Sequence, residues 1–241
     1  MSDLHIGPTT SHKTLDEAFR LVSSWAPDLL VLGGDFVFLD ATANATAELE
    51  RRVAGVTAGV KVAVLGNHDL WTKHDRIERA LSAAGVRVLV NESTRLAPPF
   101  DDVAVIGLDD PWTGAVDVPR AMACCGDAPL KLAVCHSPEG YDRIAGQDVA
   151  LFLCGHTHGG QIALPGGRPI LLPPGRSCRT WPHGLHQPGP TWLFVSRGVG
   201  ATELPVRWHS PAEVALFVIH RGRLGVDQRE LPAPAAPRAA P

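Results

Sequence analysis

The stretch Cys154-Gly155-His156-Thr157-His158-Gly159-Gly160 places two histidines two positions apart, directly after the apolar run Val149-Ala150-Leu151-Phe152-Leu153. A buried strand that ends in a glycine-rich turn presents polar residues at its carboxyl end, where open α/β sheets carry their ligand sites. Histidines with this spacing can reach two metals, or one metal and a substrate, if other ligands converge there. The stretch therefore predicts half of a metal site in an α/β protein.

Composition limits the class of protein. A chain of 241 residues with 45% hydrophobic content is compatible with one α/β domain. The net charge of −3 indicates no electrostatic footprint for nucleic acid. Five cysteines without CxxC spacing favour a reducing compartment over a disulfide framework. No apolar run reaches the roughly 18 to 20 residues that span a bilayer, so we expect a cytoplasmic protein from the sequence as given.

The pattern of a short apolar run followed by polar residues recurs along the chain. Residues 29–32 lead into Gly33-Gly34-Asp35, and residues 62–65 lead into Gly66-Asn67-His68-Asp69. Residues 132–135 lead into His136. Each run is too short for a helix and is typical of a buried strand. We therefore expect these polar residues to lie in one layer, at the carboxyl ends of neighbouring strands.

The remaining segments complete a single predicted domain over residues 1–230. We predict helices over 14–27, 41–56 and 75–84, with a capping box that starts at Thr14. Further strands are predicted over 86–90, 103–108, 191–196 and 214–220. Residues 109–129, with Trp112, are predicted to form a surface flap, and 159–190 an irregular loop. The Pro- and Ala-rich residues 231–241 are predicted to be a disordered tail.

Taken one at a time, each polar motif has a plain structural explanation, because loop histidines are commonly solvated or bonded to backbone. Together they form a set of oxygen and imidazole donors that suits Mn, Zn or Fe ions, and they include five of the eleven histidines. Two metals about 3.5 to 4 Å apart can clamp an in-line phosphoryl displacement. Four other histidines are interpreted as surface or loop residues: His12, His74, His209 and His220. Two more could contact substrate, although solvation in a loop explains them too: His183 and His186.

The ordered motifs Asp3-Leu4-His5, Gly33-Gly34-Asp35, Gly66-Asn67-His68-Asp69, His136 and Gly155-His156-Thr157-His158 resemble the calcineurin-like metallophosphoesterase superfamily. The resemblance implies a layered α/β/β/α sandwich with the metal site at the carboxyl ends of the strands. Gly159-Gly160-Gln161 and residues 196–200 are similar to a small bacterial subgroup of membrane-associated phosphodiesterases. Some members of that subgroup cleave UDP-2,3-diacylglucosamine.

The resemblance also implies residue roles. One divalent ion would be held by Asp3, His5, Asp35 and His158, and the other by Asp35, Asn67, His136 and His156. A hydroxide bridging the ions would be the nucleophile, and His68 would assist the leaving group. Asp69 would orient the His68 ring. Arg197, Arg176 and Arg179 are candidate phosphate contacts, because a guanidinium can bind phosphate oxygens in pairs.

The start of the chain departs from the family pattern. Only Met1 and Ser2 precede Asp3, whereas a strand needs about five residues, so the first central strand is expected to be missing or truncated. We expect either a native start upstream or a truncated chain with a frayed start, in which Asp3 and His5 are less rigid and metal binding is weaker. An upstream segment could carry a membrane anchor or an export signal.

Two classes of function stay open. The first is a metal-dependent phosphoesterase acting on a small phosphate ester or a lipid-linked substrate, with peripheral membrane contact. Phosphodiesters or pyrophosphates are favoured over monoesters, because Leu171-Leu172-Pro173-Pro174 and Trp181 could seat a lipid or nucleoside group. The alternatives are a phosphomonoesterase and a non-catalytic scaffold that binds a protein through the flap with Trp112.

Overall fold

The computed structural model describes residues 1–220 and the backbone of residues 223–230, so the predicted tail at 231–241 lies outside the described residues. The helices are α1 (His12–Trp25), α2 (Ala43–Ala54), α3 (Asn67–Leu70), α4 (His74–Ala83), α5 (Val118–Met122), α6 (Glu139–Ile144) and α7 (Arg176–Thr180). The strands are β1 (Leu29–Leu32), β2 (Val60–Ala63), β3 (Arg87–Val88), β4 (Glu92–Arg95), β5 (Val103–Gly107), β6 (Leu130–Val134), β7 (Leu151–Cys154), β8 (Ala163–Leu164), β9 (Arg168–Pro169), β10 (Gly184–His186), β11 (Trp192–Val195), β12 (Glu213–His220) and β13 (Arg223–Glu230).

A three-stranded parallel sheet, ordered β1-β2-β3, carries the first half of the fold. Alternate residues of β1 face opposite sides of this sheet, as the two-residue period of a strand requires. Leu30 and Leu32 pack with the apolar faces of α1, α2 and α4. Leu29 and Val31 pack on the other side, against residues of the second sheet. The short apolar run is therefore covered on both faces, as predicted.

The second sheet has six strands in the order β10-β11-β7-β6-β5-β4. Its four central strands are parallel, and β4 and β10 pair antiparallel at its edges. Val105 of β5 and Val134 of β6 pack against the first sheet. Ala104 and Ile106 face the opposite side, where they pack with residues of α5 and α6. The layers are thus helix, sheet, sheet and helix, which confirms the predicted α/β/β/α sandwich.

The first residues run beside β1 without forming a regular strand. The Asp3 N–H donates to Gly34 O (2.9 Å) and the His5 N–H to Asp35 O (3.0 Å). Ile6 forms a single parallel bridge with Val37. Among the described residues no strand precedes α1, as predicted. The expectation of a frayed start is wrong, because Asp3 and His5 are fully buried and their backbone is hydrogen-bonded to the first sheet.

Three local predictions need correction. Helix α1 begins at His12 because Ser11, not Thr14, is its N-cap: the Ser11 side chain accepts from the Thr14 N–H. Residues 109–129 are not wholly a surface flap, because Ala121 of α5 and Ala128, which follows that helix, are buried in the core. Residues 159–190 are not one irregular loop, because they contain two short strands in a hairpin, helix α7 and the edge strand β10.

The strand predicted over 214–220 is present as β12, and it pairs with β13 in a separate two-stranded sheet rather than with the second sheet. Phe217 of β12 packs edge-to-face on Phe194 of β11, with the ring centres 5.0 Å apart. The hairpin is therefore attached to the second sheet through side chains rather than through backbone pairing. No helix among the described residues combines the length and apolarity needed to cross a bilayer.

Candidate metal centre

The first ligand group joins the start of the chain to the turn after β7. Asp3 Oδ1 lies 3.4 Å from His158 Nε2, and His158 Nε2 lies 3.1 Å from His5 Nε2. All three side chains are buried. One ligand atom of each lies within 4.8 Å of the others, so a single ion can contact all three.

The second ligand group gathers the ends of three strands. Asp35 follows β1, His136 follows β6, and His156 follows β7. His136 Nε2 lies 3.1 Å from Asp35 Oδ2 and 3.2 Å from His156 Nδ1. These ligand atoms also lie within 4.8 Å of one another. The two histidines of the opening motif therefore belong to different candidate ligand groups.

Asp35 connects the two groups. Its Oδ1 accepts a hydrogen bond from the His68 backbone N–H at 3.0 Å. Its Oδ2 lies 3.1 Å from His136 Nε2 and 3.5 Å from His5 Nε2. One oxygen is thus held by backbone, while the other faces ligands of both groups, which is the arrangement that a bridging carboxylate needs.

Asn67 supplies a test of whether this cluster fits metal ions. The residue is the first of α3, and its Oδ1 is buried without a hydrogen-bond partner among the described residues. An unpaired buried amide oxygen costs about 1–3 kcal/mol, and a cation beside it would remove that cost. The carboxylates, imidazoles and amide are the donors that Mn, Zn and Fe accept. The residues therefore fit divalent metal ions.

Most of the ligand residues have unusual backbone. The φ angles of Asp3, His5, Asp35, His156 and His158 are 55°, 43°, 54°, 71° and 53°. Residues other than glycine rarely adopt this left-handed region, and each such residue costs on the order of 1–3 kcal/mol. Such strain persists only where surrounding structure enforces it. Here the backbone departs from strand geometry at the points where the side chains must turn inward.

Glycines leave room for two of the carboxylates. A Cβ on Gly66 would collide with the Asp35 carboxylate and with the Asp35 backbone nitrogen. A Cβ on Gly155 would collide with the Asp3 carboxylate and the Ser2 side chain. The glycine of each strand-end motif is therefore required by the close approach of a ligand from another part of the chain.

Burial and charge set the protonation of the site. Burial lowers the pKa of His5 and of His156 to about 3, so both rings are neutral at neutral pH. Burial also lowers the pKa of His136, but the Asp35 carboxylate outweighs it and raises this pKa well above its ordinary value. Conversely, burial raises the pKa of Asp35, but His136 outweighs it and holds that pKa below its usual range. A bound cation would replace the proton that this pair shares.

His68 and Asp69 do not form the predicted pair. The Asp69 carboxylate accepts from three backbone N–H groups, those of Asp35 (2.8 Å), Phe36 (2.8 Å) and Gly66 (3.0 Å). It therefore orients the loop that carries Asp35, and the prediction that it orients the His68 ring is wrong. Burial, and next the Asp35 charge, raises the pKa of Asp69 to about 7. The His68 ring instead lies edge-on to the His5 ring, with the centres 5.0 Å apart.

Three residues near the site were not identified from the sequence as site residues. The Arg207 guanidinium contacts His158 Nδ1 at 3.1 Å and donates to the Arg197 carbonyl at 2.8 Å. Trp71 lies against the His68 ring, and Trp112 stacks over the His156 ring. No motif marks these residues, because each reaches the site from a loop. Only the spacing of Trp71, three residues after His68, was a usable signal.

The predicted phosphate contacts differ in setting. Arg197 Nε forms an ion pair with the buried Glu213 carboxylate at 3.6 Å. Arg176 and Arg179 are exposed on α7. The rings of His183 and His186 contact backbone carbonyls, those of Gly167 and His183, which favours the structural explanation for both histidines.

Two packed sheets with paired ligand groups at their carboxyl ends define the class of protein as a metallophosphoesterase. The family model described as calcineurin-like phosphoesterase matches residues 1–160. The chain therefore belongs to the calcineurin-like phosphoesterase family, as the motifs predicted. Over 206 residues it is 32% identical to phosphodiesterase YaeI of Escherichia coli (strain K12), a match that covers 83% of this chain and 74% of YaeI.

Solved structures share the fold. The chain matches the protein TT1561 of Thermus thermophilus with a TM-score of 0.58 and 14% identity, over 95% of this chain and 96% of that one. It matches the Thermus thermophilus sulfate thiohydrolase SoxB with a TM-score of 0.52 and 18% identity, over 94% of this chain but only 43% of SoxB. At these identities the likeness establishes the fold and nothing further.

Proposed function

We propose that this chain is a dinuclear metal-dependent phosphoesterase that hydrolyses a phosphodiester or pyrophosphate bond. One observation carries the proposal: Asp35 Oδ2 faces His136 Nε2 at 3.1 Å and His5 Nε2 at 3.5 Å, so one carboxylate serves both ligand groups. The name of the relative YaeI, phosphodiesterase, supports the preference for diesters.

The proposed ligand sets follow the two groups. Asp3, His5, Asp35 and His158 would hold one ion, and Asp35, Asn67, His136 and His156 the other. When bound, two divalent ions of Mn, Zn or Fe would offset the phosphate charge and lower the pKa of the attacking water. The chain itself fixes the ligand atoms, because six of the seven proposed ligand residues are buried, His156 is half-buried, and backbone contacts hold the segments that carry them.

His68 is the proposed residue for the leaving group. Its backbone N–H holds Asp35 Oδ1, and its ring is only partly buried, beside His5 and Trp71. Burial lowers the pKa of His68, with Asp35 acting in the opposite direction, so the free site carries a neutral ring at neutral pH. A neutral imidazole N–H can donate a hydrogen bond to the oxygen on which negative charge develops.

The substrate side of the site is open. Leu171 is 77% exposed in the loop before α7, where it could contact an apolar group of a lipid-linked ester. Exposed Arg176 and Arg179 on that helix are the proposed phosphate contacts, together with Arg197. Peripheral membrane contact is part of the proposal only for a lipid-linked substrate.

A metal-by-substrate screen tests the proposal. Protein stripped with a chelator would be reloaded with Mn, Zn or Fe and assayed on bis(4-nitrophenyl) phosphate, 4-nitrophenyl phosphate, cyclic nucleotides and a nucleotide-sugar lipid. We expect metal-dependent turnover of diesters and a loss of roughly 10²–10³-fold or more in Asp35→Asn. Asp127→Asn is the matched control, because that carboxylate is exposed in an ion pair with Arg95.

The outcomes separate the alternatives. Faster turnover of the monoester than of every diester would favour a phosphomonoesterase. The absence of metal-dependent turnover in the parent protein would favour the non-catalytic scaffold. Metal content near two ions per chain, falling in Asp35→Asn but not in Asp127→Asn, would support the shared carboxylate independently of any substrate.

A further inference from the structure

Two exposed tryptophans contact different histidine rings at the candidate metal centre. Trp71 is 65% exposed, and its ring centre lies 4.8 Å from that of His68. Trp112 is 43% exposed, and its indole is stacked over the His156 ring at 6.1 Å, with the two planes 28° apart. His68 lies beside the first ligand group and His156 belongs to the second. The two indoles therefore lie against histidines associated with different ligand groups.

The indole of Trp112 is fixed in place before any ligand binds. Its Nε1–H donates to Ser137 Oγ at 3.0 Å, and its backbone N–H donates to Asp110 Oδ2 at 3.1 Å. Asp110 is fully buried and also accepts from the Thr113 N–H at 2.8 Å. At Gly175 the backbone passes so closely that an added Cβ would lie 3.0 Å from Trp112 Cζ2. An aromatic side chain that is both exposed and immobilised loses little entropy when it binds a partner.

We propose that Trp112 is a stacking platform for a planar aromatic ring, such as a nucleobase or an aryl group, on the ester arm that stays attached to the phosphate. This inference rests on the proposed phosphodiesterase function, in which His68, and with it Trp71, faces the leaving arm. Planar rings gain from offset stacking on an indole face, whereas an alkyl chain gains only from the area that it covers. The substrate class is then a phosphodiester or phosphoanhydride with an aromatic retained arm.

Substrates that share one leaving group isolate the retained arm. The 4-nitrophenyl esters of thymidine 5′-phosphate, ethyl phosphate and dodecyl phosphate would be compared by kcat/KM with Mn. Binding of thymidine 5′-phosphate and ethyl phosphate would be measured by calorimetry, so that the inference can be judged without turnover. The variants are Trp112→Leu, Trp112→Phe and the control Trp208→Leu. Trp208 is 61% exposed, and its ring contacts the ring of His209 rather than that of a proposed ligand.

We expect the parent protein to prefer the thymidine arm over the ethyl arm by about tenfold, which corresponds to about 1.4 kcal/mol. Trp112→Leu should bring this ratio close to one, because kcat/KM for the thymidine ester should fall about tenfold further than kcat/KM for the ethyl ester. Trp112→Phe should keep most of the preference because it keeps an aromatic face. Trp208→Leu should behave as the parent, and thermal unfolding would confirm that each variant is folded.

Three results would overturn the inference. They are a parent protein that does not distinguish the two arms, a Trp112→Leu variant that weakens both esters equally, and a dodecyl ester that is preferred over the thymidine ester. If no ester is hydrolysed with any metal, the proposed function fails. In that case tighter binding of thymidine 5′-phosphate than of ethyl phosphate, lost in Trp112→Leu, would still support the platform.

Discussion

Asp69→Asn tests whether the buried Asp69 carboxylate holds the backbone around Asp35 or orients the His68 ring. In the structure its oxygens accept three backbone N–H groups, from Asp35, Phe36 and Gly66. An amide has one oxygen, so Asn can keep at most the two bonds made by Oδ2 and must turn its NH₂ toward the Phe36 N–H. The Phe36 N–H then has no acceptor, and a buried donor left unsatisfied costs about 1–3 kcal/mol. We expect Asp69→Asn to lower the free energy of unfolding by about 1–3 kcal/mol when Asp69 is protonated in the parent protein.

Urea unfolding at pH 6 measures this loss, because that pH lies below the raised Asp69 pKa of about 7, where the carboxyl is mostly protonated and neutral like the amide. Asp75→Asn is the control: its carboxylate is exposed, pairs with Arg79 one helical turn away, and should change stability by no more than about 0.5 kcal/mol. The reasoning is refuted if both variants unfold at the same urea concentration. If Asp69→Asn then also lost activity, the carboxylate would act through the His68 ring, as the sequence had predicted.

Further expectations concern the ligand groups. Gly66→Ala should lose bound metal and activity, because the added Cβ would collide with the Asp35 carboxylate. Gly55→Ala is the control: Gly55 lies at the end of α2 with a φ of −70°, so this change should affect neither property. Elemental analysis of the metal content tests both variants. Asn67→Leu should remove one ion of the pair and leave the other, which the same measurement would show as half the metal content. Arg207→Met should weaken metal affinity by about 10–100-fold, because the guanidinium donates to the backbone carbonyls of His158 and Arg197 and so holds the loop that carries His158; competition with a fluorescent chelator would measure it, and unchanged affinity would contradict the role.

The strand ends could be predicted from the sequence because each carries its own signal. Leu29–Leu32 is too short and too apolar for a surface helix, and the structure makes it strand β1 with the predicted bounds. The polar residues after such runs must emerge at one edge of a parallel sheet. The convergence of Asp35, His136 and His156 therefore followed from local patterns, whereas the inclusion of Asp3 and His5 and the division into two ligand sets came from the family resemblance.

Other features depend on contacts between distant segments and have no local signature. Strand β4 is the polar sequence Glu92–Arg95, which becomes a strand only because it pairs with β5. Arg207 reaches His158 from a loop 49 residues away, and nothing in its sequence neighbourhood indicates that contact. The Asp69 error has the same origin: adjacency in the sequence suggested His68 as its partner, but the fold placed three backbone N–H groups closer.

The left-handed backbone at five ligand residues has a consequence for how such a site persists. Glycine would relieve the strain at each of these positions, by about 1 kcal/mol or more, so the loss of a ligand can make the fold more stable rather than less. A mutant library selected only for folding would then drift toward glycine at Asp3, His5, Asp35, His156 and His158. Only selection for activity opposes that drift. If glycine does not replace these residues under selection for activity, the site is functional, and this conclusion does not require knowledge of the substrate.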